Sequence, residues 1–113
     1  MPRPYDHDKL GPMIKQCRMQ AGLTQAELAF AIGCSEEHLS RIENGRKTIS
    51  FDALVRLTRL FGVSADALLS STVPQTFDPY MTAISVRLQN CTDKEKRLFL
   101  ELLKICKQLM EQA

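Results

Sequence analysis

A three-residue pattern recurs in the chain and constrains its fold more than any other feature. It consists of a glycine, a hydrophobic residue and a hydroxyl residue, and it occurs at 22–24, 33–35 and 62–64. Glycine ends helices because it adopts the left-handed backbone conformation without strain. Serine or threonine begins the next helix by accepting a hydrogen bond from a free backbone N–H. Each occurrence therefore predicts the end of one helix and the start of another.

Further start signals and the helical spacing of apolar residues define the other helices of this region. Thr24 and Glu27 have the spacing of a capping box, and Ile49-Ser50 repeats the hydrophobic and hydroxyl start signal. Pro12 is acceptable only in the first turn of a helix. Together these signals predict five short helices, at about Asp8–Ala21, Gln25–Ile32, Glu36–Asn44, Phe51–Phe61 and Ala65–Leu69.

The remaining sequence predicts a linker and two more helices. Residues 71–78 have the composition of a linker. Asp78 and Pro79 then begin a helix that ends near Gln89, with an apolar face of Met81, Ile84 and Leu88. A second capping box begins at Thr92 and opens the longest helix, which ends near Gln112. We therefore expect an all-α chain, with a five-helix domain at 1–70, a linker at 71–78 and a helical hairpin at 79–113.

Composition excludes several classes of protein. The hydrophobic fraction of 44% and the charged fraction of 25% are ordinary for a soluble globular chain of 113 residues. No apolar run approaches the ~20 residues that a membrane helix needs, and no signal peptide is apparent. We therefore expect a cytoplasmic protein. The net charge is only +2, so any affinity for nucleic acid has to come from a local arrangement of charge.

Neither a metal site nor an active site is indicated. The four cysteines lie at 17, 34, 91 and 106 without a C-x-x-C pair, and neither histidine completes a ligand cluster. The expectation is therefore buried, reduced thiols and no cofactor. There is no nucleophile–base pair and no glycine-rich phosphate loop. We expect that the chain is not an enzyme.

Residues 24–44 have the requirements of a helix-turn-helix. Ala29 is small enough for two helices to cross closely, and Gly33 permits the tight turn between them. Leu39 and Ile42 hold the second helix on the core. Such a corner presents the second helix at the surface.

The same residues resemble a known family. Thr24-Gln25-x-Glu27-Leu28-Ala29 and Leu39-Ser40-Arg41-Ile42-Glu43-Asn44-Gly45 are similar to the helix-turn-helix of lambdoid phage repressors and Cro proteins (the XRE-type regulators). The similarity covers about residues 9–70. It implies a repressor-like fold and a transcriptional regulator that binds double-stranded DNA. No membrane partner is expected. The operator and any small-molecule or protein effector stay unknown.

The resemblance also implies which residues contact DNA. The base-reading residues of the recognition helix match Glu36, Glu37, Ser40 and Arg41. Arg18 and Glu43 match a structural salt bridge between the first and third helices. Many relatives carry neutral amides where this chain has Glu36 and Glu37. Three roles are open for these carboxylates: they accept a hydrogen bond from cytosine, they orient Arg41, or they only discourage non-specific binding. The phosphate-contacting positions match Thr24, Gln25, Ser35, His38, Asn44, Arg46 and Lys47.

The last helix predicts a dimer. Its apolar stripe is wider than one partner helix can cover, and an exposed remainder of that size marks an interface. We expect a homodimer on a near-palindromic operator; the alternative is that the stripe docks on the chain's own first five helices. The alternative functions are an antitoxin and a protein-binding adaptor. The predicted dimerisation residues are Leu98, Phe99, Leu102, Ile105, Cys106 and Leu109.

Overall fold

The protein is all-helical over the residues that its structure, a computed structural model, describes, which are 7–69 and 73–112. No strand occurs among them. This confirms the predicted fold class. The helices are α1 (His7–Gln20), α2 (Gln25–Ile32), α3 (Glu36–Glu43), α4 (Phe51–Phe61), α5 (Ala65–Leu68), α6 (Pro79–Leu88) and α7 (Asp93–Gln112).

The predicted start and stop signals act as expected. Gly22, Gly33 and Gly62 have left-handed φ values of 68°, 78° and 67°. The hydroxyl group of the N-cap residue accepts a backbone hydrogen bond at the start of α2, α3, α4 and α5. Helix boundaries therefore agree with the sequence to within one residue.

The placement of Pro12 was predicted wrongly. Helix α1 begins at His7, so Pro12 lies inside the helix rather than in its first turn. Proline lacks the N–H that would bond to the carbonyl four residues before it, and that carbonyl is only one residue from the start of α1. The loss therefore affects only the beginning of the helix, and the exposed Pro12 is accommodated there.

Helices α1 to α5 enclose a single apolar core. The largest fully buried apolar side chains come from all five of these helices, and they are Ile14, Leu28, Ile32, Leu39, Leu57 and Leu68. Helix α3 packs on both α1 and α2. Each helix is too short to be stable alone in water, so the shared core holds α3 in place.

Gly11 allows α1 and α3 to approach closely. A Cβ atom at this position would meet the carbonyl oxygen of Ile42 and lie 2.8 Å from that of Glu43. Both neighbours are backbone atoms, which cannot move aside as a flexible side chain would. Gly11 therefore sets the distance between α1 and the end of α3.

The segment after α5 joins the same core. Phe77, within the stretch predicted as a linker, is buried, and its ring packs edge-to-face on Phe61 with the centroids 5.1 Å apart. Helix α6 then packs on α4, α1 and α2. Residues 71–72 of the predicted linker lie outside the described residues.

The buried face of α6 differs from the predicted one. Thr82 and Val86 are buried, whereas Met81 is exposed and Ile84 is half-buried. The sequence pattern suggested a face for pairing with the next helix. Instead, α6 packs on the helices before it, and this selects a different side of the helix.

Helix α7 is separate from this core. None of its residues is buried, and it has no extensive contact with another helix in the described part of the chain. A helix of 20 residues is about 30 Å long, which accounts for the 58 Å length of the molecule. The alternative that its apolar stripe docks on the first five helices is therefore wrong for this structure.

The exposure of Cys17 and Cys106 reflects the same separation between the core and α7. Burial raises the pKa of the Cys17 thiol to about 11 and also raises the pKa of Cys34. Since the thiolate is the reactive form, these two thiols react slowly. The expectation that all four are buried is correct only for Cys17: Cys34 and Cys91 are half-buried, and Cys106 is exposed because α7 is not covered. No helix in the described ranges is long and apolar enough to cross a membrane.

Gly11→Ala is expected to destabilise the fold, although alanine is the better helix former. Overpacking against the carbonyl groups of α3 should lower the free energy of unfolding by about 1–3 kcal/mol, measured by urea denaturation. Gln16→Ala, at an exposed position of the same helix, is the control and should change it by less than about 0.5 kcal/mol. A stability gain in Gly11→Ala would show that α1 and α3 do not approach closely there.

Candidate nucleic-acid interface

Capping hydrogen bonds fix both ends of α2. At the start of α2, the Glu27 N–H donates to Thr24 Oγ1 over 3.1 Å, and the Thr24 N–H donates to Glu27 Oε1 over 3.0 Å. The hydrogen bond from the Thr24 backbone is the main reason why the pKa of the Glu27 carboxyl is lowered. At the end of α2, the N–H groups of Gly33 and Cys34 donate to the carbonyl groups of the last turn.

The turn then delivers the chain directly into α3. Ser35 Oγ accepts from the His38 N–H over 3.0 Å, and Leu39 and Ile42 are buried beneath the helix. Because the core side chains occupy one side of α3, its opposite side faces solvent. This is the geometry that the sequence predicts for the second helix of the corner.

A buried ion pair connects α3 to α1. The Arg18 Nε donates to Glu43 Oε2 over 2.8 Å, and a second guanidinium nitrogen donates to Oε1 over 3.2 Å. Only 11% of the Arg18 side chain and 1% of the Glu43 side chain are exposed. Arg18 also donates to the Leu23 carbonyl group over 2.9 Å. Two of these bonds are parallel guanidinium–carboxylate bonds, which fix orientation as well as distance.

Gln25 is the third member of this network, and it connects α2 as well. Its Nε2 donates to Glu43 Oε1 over 3.0 Å. The sequence assigned Gln25 only to phosphate contact, and no signal in the sequence indicated the bond to Glu43. Since an amide group has two N–H donors, one stays available at the half-buried surface.

The predicted base-reading residues lie on the solvent side of α3. Glu36, Glu37 and Arg41 are exposed, and Ser40 is half-buried. An Arg41 guanidinium nitrogen lies 2.8 Å from Glu37 Oε1, one helical turn earlier. Of the roles considered for the two glutamates, this contact matches the orientation of Arg41 by Glu37.

The predicted phosphate-contacting residues flank this face at both ends. Ser35 and His38 are at the start of α3, while Thr24 and Gln25 are at the start of α2, which the bond from Gln25 to Glu43 places beside the end of α3. Free N–H groups and the helix dipole at both helix starts favour an anion. Beyond the end of α3, the Arg46 N–H donates to the Arg41 carbonyl group over 2.9 Å and holds the loop against α3. The predicted contact residues of that loop, Asn44, Arg46 and Lys47, are all exposed.

The charges of this surface are mixed. In the described part of the chain, neither Arg46 nor Lys47 forms a salt bridge, so both cations are available to an anion. The Glu37 carboxylate is balanced by Arg41, while Glu36 adds negative charge at the start of α3. Within the described ranges, no cluster of His, Cys, Asp or Glu side chains is arranged to hold a metal ion.

Comparisons with known proteins agree with this geometry. The helix-turn-helix family model HTH_3 matches residues 14–68. The ImmF control region 10 kDa protein of Bacillus phage phi105 is 41% identical over 63 residues, which cover 56% of this chain and 70% of that protein. The HTH-type transcriptional regulator ImmR of Bacillus subtilis is 30% identical over 94 residues, covering 80% of this chain and 74% of that protein.

A solved structure extends the likeness to the C-terminal part. The crystal structure of the clp gene regulator ClgR from Corynebacterium glutamicum is 29% identical in sequence and superposes with a TM-score of 0.53. The superposition covers 86% of this chain and 93% of that one. The fold therefore resembles this regulator over more than the region that the family model matches.

Glu43→Ala is expected to lower the free energy of unfolding by about 3–5 kcal/mol, because it leaves the Arg18 charge buried without its partner. Replacing both residues, as Arg18→Met with Glu43→Leu, should restore most of that loss. Urea denaturation measures both. The control is Glu101→Ala, which breaks an exposed pair with Lys104 and should cost less than about 1 kcal/mol. Equal losses in Glu43→Ala and Glu101→Ala would contradict a structural role for the buried pair.

Proposed function

Because this chain belongs to the HTH_3 helix-turn-helix family and is a DNA-binding transcriptional regulator, we propose that it is a repressor that binds a near-palindromic operator as a homodimer. Its relatives are phage control proteins and transcriptional regulators, so the proposal contains no catalytic step. Occupation of promoter DNA would block transcription. Since its target is DNA and its relatives come from bacteria and a phage, we place its action in the cytoplasm.

The observation that carries this proposal is the solvent-facing side of α3, which has predicted phosphate-contacting residues at both ends. A recognition helix reads bases with its first turns while the neighbouring segments contact the DNA backbone. Here Glu36 and Glu37 lie in the first turn of this two-turn helix, and Arg41 lies one turn after Glu37. Ser35 and His38 lie at the start of α3, the amide of Gln25 donates to one phosphate beside the end of α3, and Arg46 and Lys47 contact others beyond that end.

Arg41 is the side chain best suited to read a specific base. Its guanidinium group matches O6 and N7 of guanine in the major groove. Glu37 holds that group through the 2.8 Å contact, which limits the rotamers that Arg41 samples before binding. Glu36 is exposed at the start of the helix, where a carboxylate accepts a hydrogen bond from N4 of cytosine.

Helix α7 supports the homodimer. Leu98, Leu102, Ile105 and Leu109 are spaced by four, three and four residues, which is the spacing of a coiled-coil seam. All four are exposed, with 52–65% of their surface accessible. Phe99 and Cys106 widen the same face on one side. The occupant that we propose for this face is α7 of a second copy.

A two-fold assembly suits a near-palindromic site. Two recognition helices have to lie about 34 Å apart, or a multiple of that distance, to enter successive major grooves on one side of DNA. The described helix α7 extends away from the core, so pairing through it leaves α3 of both copies uncovered. The antitoxin and adaptor functions have no comparable observation in their favour.

Arg41→Ala is expected to lower affinity for the best operator by about 1–3 kcal/mol and to relax preference at one base pair. The operator comes from selection of bound sequences out of random DNA, and titration with variant operators measures the preference. Lys47→Ala is the matched control. Lys47→Ala should lower the affinity for all DNA sequences by the same factor and reduce the slope of log affinity against log salt by about 1.

Three results would contradict this assignment. Unchanged base preference in Arg41→Ala would mean that Arg41 does not read a base. The absence of any DNA binding at low salt would favour the adaptor function instead. An equal loss of affinity for every operator variant in Arg41→Ala, with base preference retained, would indicate a phosphate contact.

Leu102→Glu is expected to convert the dimer to a monomer, because it places a charge at the centre of the proposed seam. Sedimentation equilibrium measures the mass, and affinity for the full operator should fall while affinity for a half-site stays the same. Gln108→Glu adds the same charge outside the apolar stripe and should stay dimeric. A Leu102→Glu protein that sediments as the native protein does would exclude α7 as the dimer interface.

A further inference from the structure

A groove on the side of α2 opposite its buried face has no role in the proposed function. It lies between α2, α4 and the end of α6 and has a volume of about 580 Å³. A second depression of about 300 Å³ adjoins it and shares Phe30 and Asn90 with it. The two together form an elongated open surface. Its size is within the range of ligand sites, and its open, extended form suits a polypeptide segment.

The larger part of the groove is lined by hydrogen-bond donors and contains no carboxylate. Arg56 and Arg59 extend from successive turns of α4, and both are exposed. Neither forms a salt bridge with any of the residues that the structure describes. The side chains of Ser85, Gln89 and Asn90 form the opposite wall. Two guanidinium groups without a carboxylate partner, facing neutral amides, create a positive site that attracts carboxylates.

An aromatic ring projects between the two depressions. Phe30 is 65% exposed although it belongs to α2, a helix whose other large apolar side chains are buried. Leu60 and Ala31 continue the apolar surface at the base of the groove. An exposed aromatic ring beside free arginines is typical of protein-binding surfaces, where phenylalanine and arginine are enriched.

Neither operator DNA nor α7 is a suitable occupant. The groove includes no residue of α3 and none of the predicted phosphate-contacting residues, so DNA bound through α3 leaves it open. Helix α7 begins next to the groove but contains five basic and four acidic residues. It therefore lacks the acidic excess that would complement Arg56 and Arg59.

We propose that this groove binds an acidic segment of a partner protein. Carboxylate side chains of the segment pair with Arg56 and Arg59, and an apolar side chain packs on the ring of Phe30. Arg56 is partly positioned for this, since its guanidinium group lies 3.5 Å from the Ile32 carbonyl oxygen at the end of α2. The groove is separate from the recognition surface, which is the solvent-facing side of α3. The regulator therefore binds the partner and DNA at the same time.

Selection from a library of random peptides tests the chemistry of the site. The bait is the full-length native protein, and a parallel selection uses Arg59→Glu. The native protein is expected to enrich peptides that combine Asp or Glu with Leu or an aromatic residue, and Arg59→Glu should not enrich them. Enrichment of no acidic class, or of the same class by both proteins, would overturn the proposal.

Fluorescence anisotropy with the best labelled peptide then tests the individual residues. Arg59→Glu and Phe30→Ala should each weaken binding about tenfold, since each removes one of the two kinds of contact. Arg97→Glu reverses an exposed charge on α7 and should leave binding unchanged. Circular dichroism melting curves verify that each variant is folded, and Arg59→Gln provides a milder change if the reversal lowers stability. Equal affinity in the native protein, Arg59→Glu and Phe30→Ala would also overturn the proposal.

Competition with DNA separates this site from the recognition surface. Operator DNA should not displace the peptide, and Arg59→Glu should bind the operator as tightly as the native protein does. Displacement of the peptide by operator DNA, with weaker DNA binding by Arg59→Glu, would assign these arginines to the DNA backbone and exclude the partner protein. Because the peptide is measured without DNA, failure of this proposal is distinguishable from failure of the proposed repressor function.

Discussion

The buried pair of Arg18 and Glu43 is the interaction on which the arrangement of the first three helices depends. It joins α1 to the last residue of α3, and Gln25 adds a bond from the first residue of α2. Two charges removed from water are costly unless hydrogen bonds satisfy them. Here the carboxylate accepts three bonds and the guanidinium group donates three, one of them to a backbone carbonyl. Other orientations of α3 would leave these groups unpaired, so the network selects one orientation.

Gly11 and the caps of α2 make this arrangement more precise. Without a Cβ atom at Gly11, the backbone of α1 lies against the carbonyl groups at the end of α3. The capping box at Thr24 and the left-handed Gly33 fix the two ends of α2. The recognition surface is thus held by backbone geometry and a buried ion pair, while its own side chains stay at the surface and available for binding.

The sequence was sufficient to predict the elements but not all of their packing. Glycine and hydroxyl signals are local, so helix ends at Gly22, Gly33 and Gly62 were predictable. The packing of Phe77 on Phe61 depends on where the chain returns after α5, and no local signal contains that information. For the same reason, the face of α6 that the sequence pattern predicts to be buried differs from the face that is buried in the structure.

The candidate site was predictable to a similar extent. The resemblance to phage repressors indicated the residues of α3 and the partners Arg18 and Glu43. The bond from Gln25 to Glu43 and the contact between Arg41 and Glu37 required coordinates. The groove beside Phe30 could not be predicted either, because its walls come from three helices and one of them, α6, was expected to pair with α7 instead.

The projecting α7 has a consequence for how the protein would respond to its own abundance. In the proposed dimer, an apolar helix that is uncovered in a single copy would be stabilised by association, so folding of α7 and assembly would be linked by mass action. With a dimer as the active species, operator occupancy at low abundance rises with the square of the amount of chain. A modest fall in synthesis or a modest rise in proteolysis then empties the operator more than proportionally, and control of the gene becomes a threshold rather than a gradual response.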